Sequence, residues 1–114
     1  MNQRVVVMNG QRVLQHLSGD KWVTAKVGKA GQIKPGVYNL ASAVVAEPGK
    51  TYDGAILHAD SEHVYQQSGK HVVRHEARRF AVVPDVGVQL ALQDNGGAIA
   101  VLQVVATRGR GVRR

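Results

Sequence analysis

The stretch RVVVMNGQRVLQHL, Arg4 to Leu17, decides the fold class. Arg4–Met8 is rich in β-branched residues, Asn9-Gly10 follows, and a second extended run resumes over Gln11–Leu17. A two-residue type I′ turn needs positive φ at both central positions, so an Asn-Gly pair between two such runs predicts a tight hairpin. The same grammar continues outward. Ser18-Gly19-Asp20 reads as a second turn and Lys21–Val27 as a third strand. Gly28–Gly36, with three glycines and a proline, reads as a loop, and Val37–Ala46 as one longer strand closed by Glu47–Lys50. Within it, Asn39–Glu47 is the one stretch whose alanine content leaves a short helix open.

The second half keeps this style. Gly54–Ala59, His63–Gln67 and His71–Glu76 form a predicted meander joined by Asp60-Ser61-Glu62 and by the Gly-containing turn Ser68-Gly69-Lys70. Val88–Val105 carries Asp94-Asn95-Gly96-Gly97 between two apolar alternating runs and predicts a last, long hairpin. No window shows a capped helical period. The expected class is all-β: a small antiparallel barrel or compact sandwich, SH3-like, a meander with a terminal hairpin. Closing the sheet would also remove its exposed edges. With only Trp22, Tyr38, Tyr52, Tyr65 and Phe80 as aromatics, the core must be mostly Val, Leu, Ile and Ala.

A chain of 114 residues suits one hydrophobic core, so residues 1–107 are expected to form one β domain, with 1–50 and 51–103 as its two parts. Fifteen Lys and Arg against eight Asp and Glu give +7, yet Arg108, Arg110, Arg113 and Arg114 fall in the last seven residues. The body therefore holds eleven basic and eight acidic groups, or +3. A Gly-spaced arginine tail over 108–114 cannot bury enough apolar surface to fold alone, and guanidinium groups so placed suit phosphates. Cysteine is absent, which excludes disulfides and thiolate zinc sites. The opening run is too short for a signal peptide and carries an arginine, so the expectation is a cytoplasmic protein without a membrane anchor.

Four of the five histidines, His58, His63, His71 and His75, lie within eighteen residues. Strand alternation sets His71, Val73 and His75 on one face, with Val72 and Arg74 on the other, and groups His58 with Ile56 and His63 with Tyr65 and Gln67. The imidazoles do not share a face, so the expectation is structural histidines, with no metal and no cofactor. Ser18, Ser42, Ser61 and Ser68 lie in or beside turns outside any nucleophile-elbow pattern, and Asp53 and Asp60 are turn aspartates before they are an acid–base pair. The expectation is that the chain is not an enzyme.

TYDGAILHADSEHVYQQSGKHVVRHEARRF (Thr51–Phe80) and VPDVGVQLALQDNGGAIAVLQ (Val83–Gln103) resemble the KfrB-type domain of broad-host-range plasmids. The resemblance rests on Tyr52-x-Gly54-x-Ile56, Val64-Tyr65-Gln66, the Gly69 turn, Val72-x-x-His75, the basic pair Arg78-Arg79, and Pro84-x-x-Gly87 with its hairpin. Leu92 and Gln93 depart from it, standing where an aromatic and a basic residue are common. The resemblance implies a non-catalytic accessory role in plasmid maintenance or conjugative transfer. On that basis the expected mode of action is contact with nucleic acid, with docking of a protein as its alternative. In the first, Arg74, Arg78, Arg79 and the tail arginines contact DNA or RNA, with Tyr65 or Trp22 stacking on bases. In the alternative, the chain is an adaptor that docks a plasmid partition or transfer protein, and its charge steers the encounter.

Overall fold

A computed structural model describes residues 2–104. The first sheet is antiparallel and built from β1 (Gln3–Met8), β2 (Gln11–Ser18), β3 (Lys21–Lys29) and β4 (Gly36–Asn39), in the order β3-β2-β1-β4. The β1–β2 turn places both Asn9 (φ 53°) and Gly10 (φ 76°) in the left-handed region, as a type I′ turn requires. After a one-turn 3-10 segment (Leu40–Ser42) come β5 (Val44–Val45), β6 (Thr51–Ala59), β7 (His63–Ser68) and β8 (His71–Glu76). A second 3-10 turn (Ala77–Arg79) leads to β9 (Gln89–Asp94) and β10 (Ile99–Val104). These strands form a six-stranded sheet in the order β10-β9-β6-β7-β8-β5.

The expected meander is β6-β7-β8 and the expected terminal hairpin is β9-β10. The architecture is sandwich-like, with no closed barrel among the described residues, so edges persist. One of them, β3, carries Lys21, Lys26 and Lys29, charges that discourage a further strand from pairing there. Two local readings are corrected. Val37–Ala46 is not one strand: the Asn39 side chain accepts from the Ala41 N–H at 3.0 Å and starts the 3-10 turn, which buries Leu40 and ends β4. The next strand, β5, pairs with β8 in parallel, so the sheet is mixed.

Two apolar clusters hold the layers. Val5, Val7, Leu14, Ile33 and Leu40 from the N-terminal half pack on Ala55, Leu57 and Tyr65 of the six-stranded sheet. On the other side of that sheet lie Ile56, Val64, Ala77, Phe80, Leu90, Leu92 and Ile99. Strand alternation sends Ala55 and Leu57 to the first cluster and Ile56 to the second. A break in the β6–β7 register, where Ile56 pairs with Gln66 but His58 with Tyr65, puts His58 on the face opposite Ile56. It corrects the pairing of His58 with Ile56: Ile56 enters the second cluster, whereas His58 stacks on Tyr65 with ring centroids 6.0 Å apart.

One polar group crosses the second cluster. The Gln66 amide nitrogen, fully buried, faces the carbonyls of Leu90 (3.0 Å), Gly54 (3.1 Å) and Tyr52 (3.3 Å), dividing two hydrogens among three acceptors on β9 and β6. Its Oε1 therefore accepts, from His75 Nε2 at 2.9 Å on β8. This fixes the imidazole as the Nε2-protonated neutral tautomer and leaves Nδ1 a bare buried acceptor. Burial drives the His75 pKa down to about 4, and the Asp94 charge only partly opposes it.

Gly54 makes this layer possible. A Cβ there would lie 1.5 Å from the Gln67 carbonyl oxygen, a backbone atom that cannot swing away. Gly54→Ala should therefore prevent folding or destabilise by more than about 4 kcal/mol. Gly10→Val, where space is open and only positive φ opposes the side chain, should destabilise by about 1–2 kcal/mol. Urea unfolding of the two variants measures the difference, and equal midpoints would contradict this reading of Gly54.

Candidate functional site

The cations expected to face a ligand begin on β8 and the turn after it. Arg74 opposes Tyr65 across the β7–β8 ladder and is half-buried on that face. Glu76, at the end of β8, accepts from both arginines of the basic pair, Arg78 at 3.1 Å and Arg79 at 3.4 Å. Arg79 reaches further, to within 3.4 Å of the Asp94 carboxylate, which is 1% exposed and also accepts from the Gly96 N–H at 2.8 Å. Arg79 thus joins the 3-10 turn to the β9–β10 hairpin. The cleft between these groups, lined by Arg74, Glu76, Arg79 and Asp94, has a volume of about 40 Å³, suited to water and too small for a nucleotide.

The expected stacking residues do not join these arginines. Tyr65 is only 8% exposed and belongs to the inter-sheet core, so it cannot stack on a base, which corrects that expectation. Trp22 lies on β3 in the other sheet, with the Arg4 guanidinium 4.1 Å from its ring centre. One ring face is already occupied. Arg108, Arg110, Arg113 and Arg114 lie outside the described residues.

The four clustered histidines have different surroundings. His75 is buried against Tyr52 and Phe80, His58 lies between Arg12 and Tyr65, His63 sits beside Tyr65, and His71 is exposed. Among the described residues no three His, Asp or Glu side chains converge as metal ligands. Asp60 is a turn residue whose carboxylate accepts the N–H groups of Glu62 (2.8 Å) and His63 (2.7 Å). Partial burial pushes its pKa up, but those two bonds outweigh it and hold the carboxyl below its ordinary value, which suits a turn and not a general acid.

Arg12 was not singled out by the sequence. It is 6% exposed, points into the interface between sheets, and donates from Nε to the Leu57 carbonyl (2.7 Å) and from Nη2 to His58 Nδ1 (2.9 Å). Burial, reinforced by this cation, depresses the His58 pKa. Arg12 therefore binds the layers together, and its position opposite buried Val7 and two residues before buried Leu14 could not be read as interior without the register.

Charge divides unevenly along the chain. Residues 1–50 carry seven basic and two acidic groups, whereas 51–104 carry four basic and six acidic, so the excess of +5 lies on the N-terminal part and the remainder is −2. The ion pairs carry their own test. Arg79→Ala leaves Asp94 buried beside a single N–H donor and should destabilise the fold by about 2–4 kcal/mol. Arg78→Ala, at an 83% exposed side chain, should stay within about 0.5 kcal/mol of the parent in the same denaturation experiment. Indistinguishable stabilities would show that Arg79 is not a structural cation.

Residues 51–102 match the family model of the KfrB domain. The chain is also similar to Protein TraB of Escherichia coli, 33% identical over 88 residues, an alignment covering 74% of this chain and 60% of that protein. The chain thus spans about 60% of the length of this relative. The matched segment contains β6 to β9, the Gln66 layer and the Arg79–Asp94 pair. Residues 51–102 of the chain thus form a KfrB-type domain.

Proposed function

We propose that the chain is a non-catalytic, plasmid-encoded accessory protein of the cytoplasm, acting in plasmid maintenance or conjugative transfer as an adaptor that docks a partition or transfer protein. The observation that carries the adaptor mode is the neutralisation of the basic pair: Glu76 holds Arg78 and Arg79, and Asp94 holds Arg79 from a buried position. Arg79 would have to leave a buried carboxylate unpaired before it could neutralise a phosphate, and the surrounding segment is net negative. The family motif residues support the same reading, because Gly54, Ile56, Gln66 and His75 serve the interior and leave function to the surfaces the scaffold presents.

A second reading retains nucleic acid, and the +5 of residues 1–50 together with the arginine-rich tail favours it. Salt separates the two. Each phosphate contact on duplex DNA steepens the fall of log affinity with log salt by about 0.9. Anisotropy titrations of single- and double-stranded oligonucleotides with the intact chain, at two salt concentrations, should give only weak binding that disappears at the higher salt and is unchanged by Arg78→Ala. Tight binding with a slope equivalent to several phosphate contacts, weakened by that substitution, would replace the adaptor with a nucleic-acid-binding protein.

A further inference from the structure

The first sheet has one face that nothing in the described residues covers. Its register sets Val37 opposite Val6, Val6 opposite Val13, and Val13 opposite Val27, which is a single row of valines crossing all four strands. Directly opposed residues share a face. Because Val5, Val7 and Leu14 are buried on the inner side, the valine row faces outward. Val37 is 63% and Val27 56% exposed, Val6 and Val13 are half-buried, and Met8, 55% exposed, stands in the next row.

Cations border this row. Arg4 lies on the same face, directly opposite Gln15, and covers one face of Trp22; Lys29 shares a row with Met8 through Gln11. Asp20 is the only carboxylate in residues 2–39. A contiguous apolar stripe on a soluble sheet marks a docking surface, and its cationic border selects the partner's charge.

We propose that this outward face docks an acidic segment of a partner protein, with apolar side chains over the valine row and carboxylates against Arg4 and Lys29. The inference rests on the adaptor reading and assigns that reading its surface and its partner's chemistry. A second copy fits worse, since stacking two such faces brings their cations together without counter-charge. Nucleic acid fits worse because valine offers no stacking plane and Trp22 is already covered on one side. A membrane fits worse because short β-branched side chains lie flush with the sheet and carry no long apolar group to insert.

Trp22, the only tryptophan, reports on this face. The intact chain is titrated with an end-blocked synthetic peptide of alternating glutamate and valine, following Trp22 emission. The same titration is repeated with a lysine–valine peptide, a single-stranded oligonucleotide and vesicles of phosphatidylglycerol. A saturable change is expected with the acidic peptide alone, weakened several-fold by added salt and at least tenfold in the Val27→Asp/Val37→Asp variant, which removes apolar contact and repels carboxylates. These two positions are the most exposed of the row, and circular dichroism confirms that the variant is folded. No response to the acidic peptide, an equal response to the lysine peptide, or undiminished affinity in the variant overturns the proposal. So does a stronger response to oligonucleotide or vesicles, or a dimer in light scattering that the variant dissociates. Nuclease-treated affinity purification of the full chain from plasmid-bearing cells then separates the two levels. Protein partners retained equally by parent and variant overturn this face while leaving the adaptor, and no protein partner for the parent removes the adaptor reading as well.

Discussion

The buried amide of Gln66 is the constraint on which the six-stranded sheet depends. It touches three strands through four groups: the carbonyls of Tyr52 and Gly54 on β6, that of Leu90 on β9, and the His75 imidazole on β8. A polar group with no access to water destabilises the fold unless it is satisfied, so this set specifies one arrangement of strands and excludes slipped alternatives. Hydrophobic burial supplies most of the stability, but valine and leucine pack in many registers. The amide accepts few.

Seen from this amide, the family signature is architectural. Gly54 is glycine because the Gln67 backbone leaves no room for a Cβ. Tyr52 packs edge-on to His75 at 5.4 Å and accepts from the Glu47 N–H, closing the turn into β6. Gly87 donates to the Ile56 carbonyl and accepts from the Gln32 N–H, so the loop after Pro84 ties the matched segment to the N-terminal half. The basic pair obeys the same logic, with Arg79 compensating a buried carboxylate. A motif made of such residues identifies a scaffold, and related chains sharing it are free to differ in what they bind.

The fold was legible wherever the signal was local. Asn9-Gly10, the Gly69 turn and the Asp94–Gly97 turn each announce a hairpin by backbone chemistry alone, and each hairpin is present. Signals that depend on partners far along the chain were not legible. Asn39 ends a strand that its neighbours would continue, and β5 pairs with β8 in parallel across twenty-nine residues, from Val44 to Val73. The candidate site suffered most, because the sequence does not say which arginine meets which carboxylate: Arg79 and Asp94 are fifteen residues apart. Nor does Val5-Val6-Val7 reveal which of its two faces is covered. Apolar character on both faces of an early strand was the available clue to an exposed row, and only the register turned it into a surface.

The most direct test of the central claim is the protonation of His75. Nitrogen-15 NMR distinguishes the two neutral tautomers and the imidazolium, and can follow His75 from pH 8 to the acid limit of folding. The expected result is an imidazole protonated at Nε2 alone that stays neutral through pH 6 and titrates near about 4. Because this folded-state value lies below the ordinary 6.5, the unfolded chain takes up the proton first as pH falls. Stability is therefore full above about 6.5 and declines toward about 4, by about 3 kcal/mol at most. A Gln66→Leu variant should lose the Nε2 tautomer preference while its other histidines titrate as before. A His75 that titrates near 6.5 in the parent, or carries its proton on Nδ1, would contradict the claim that the Gln66 amide orders this sheet.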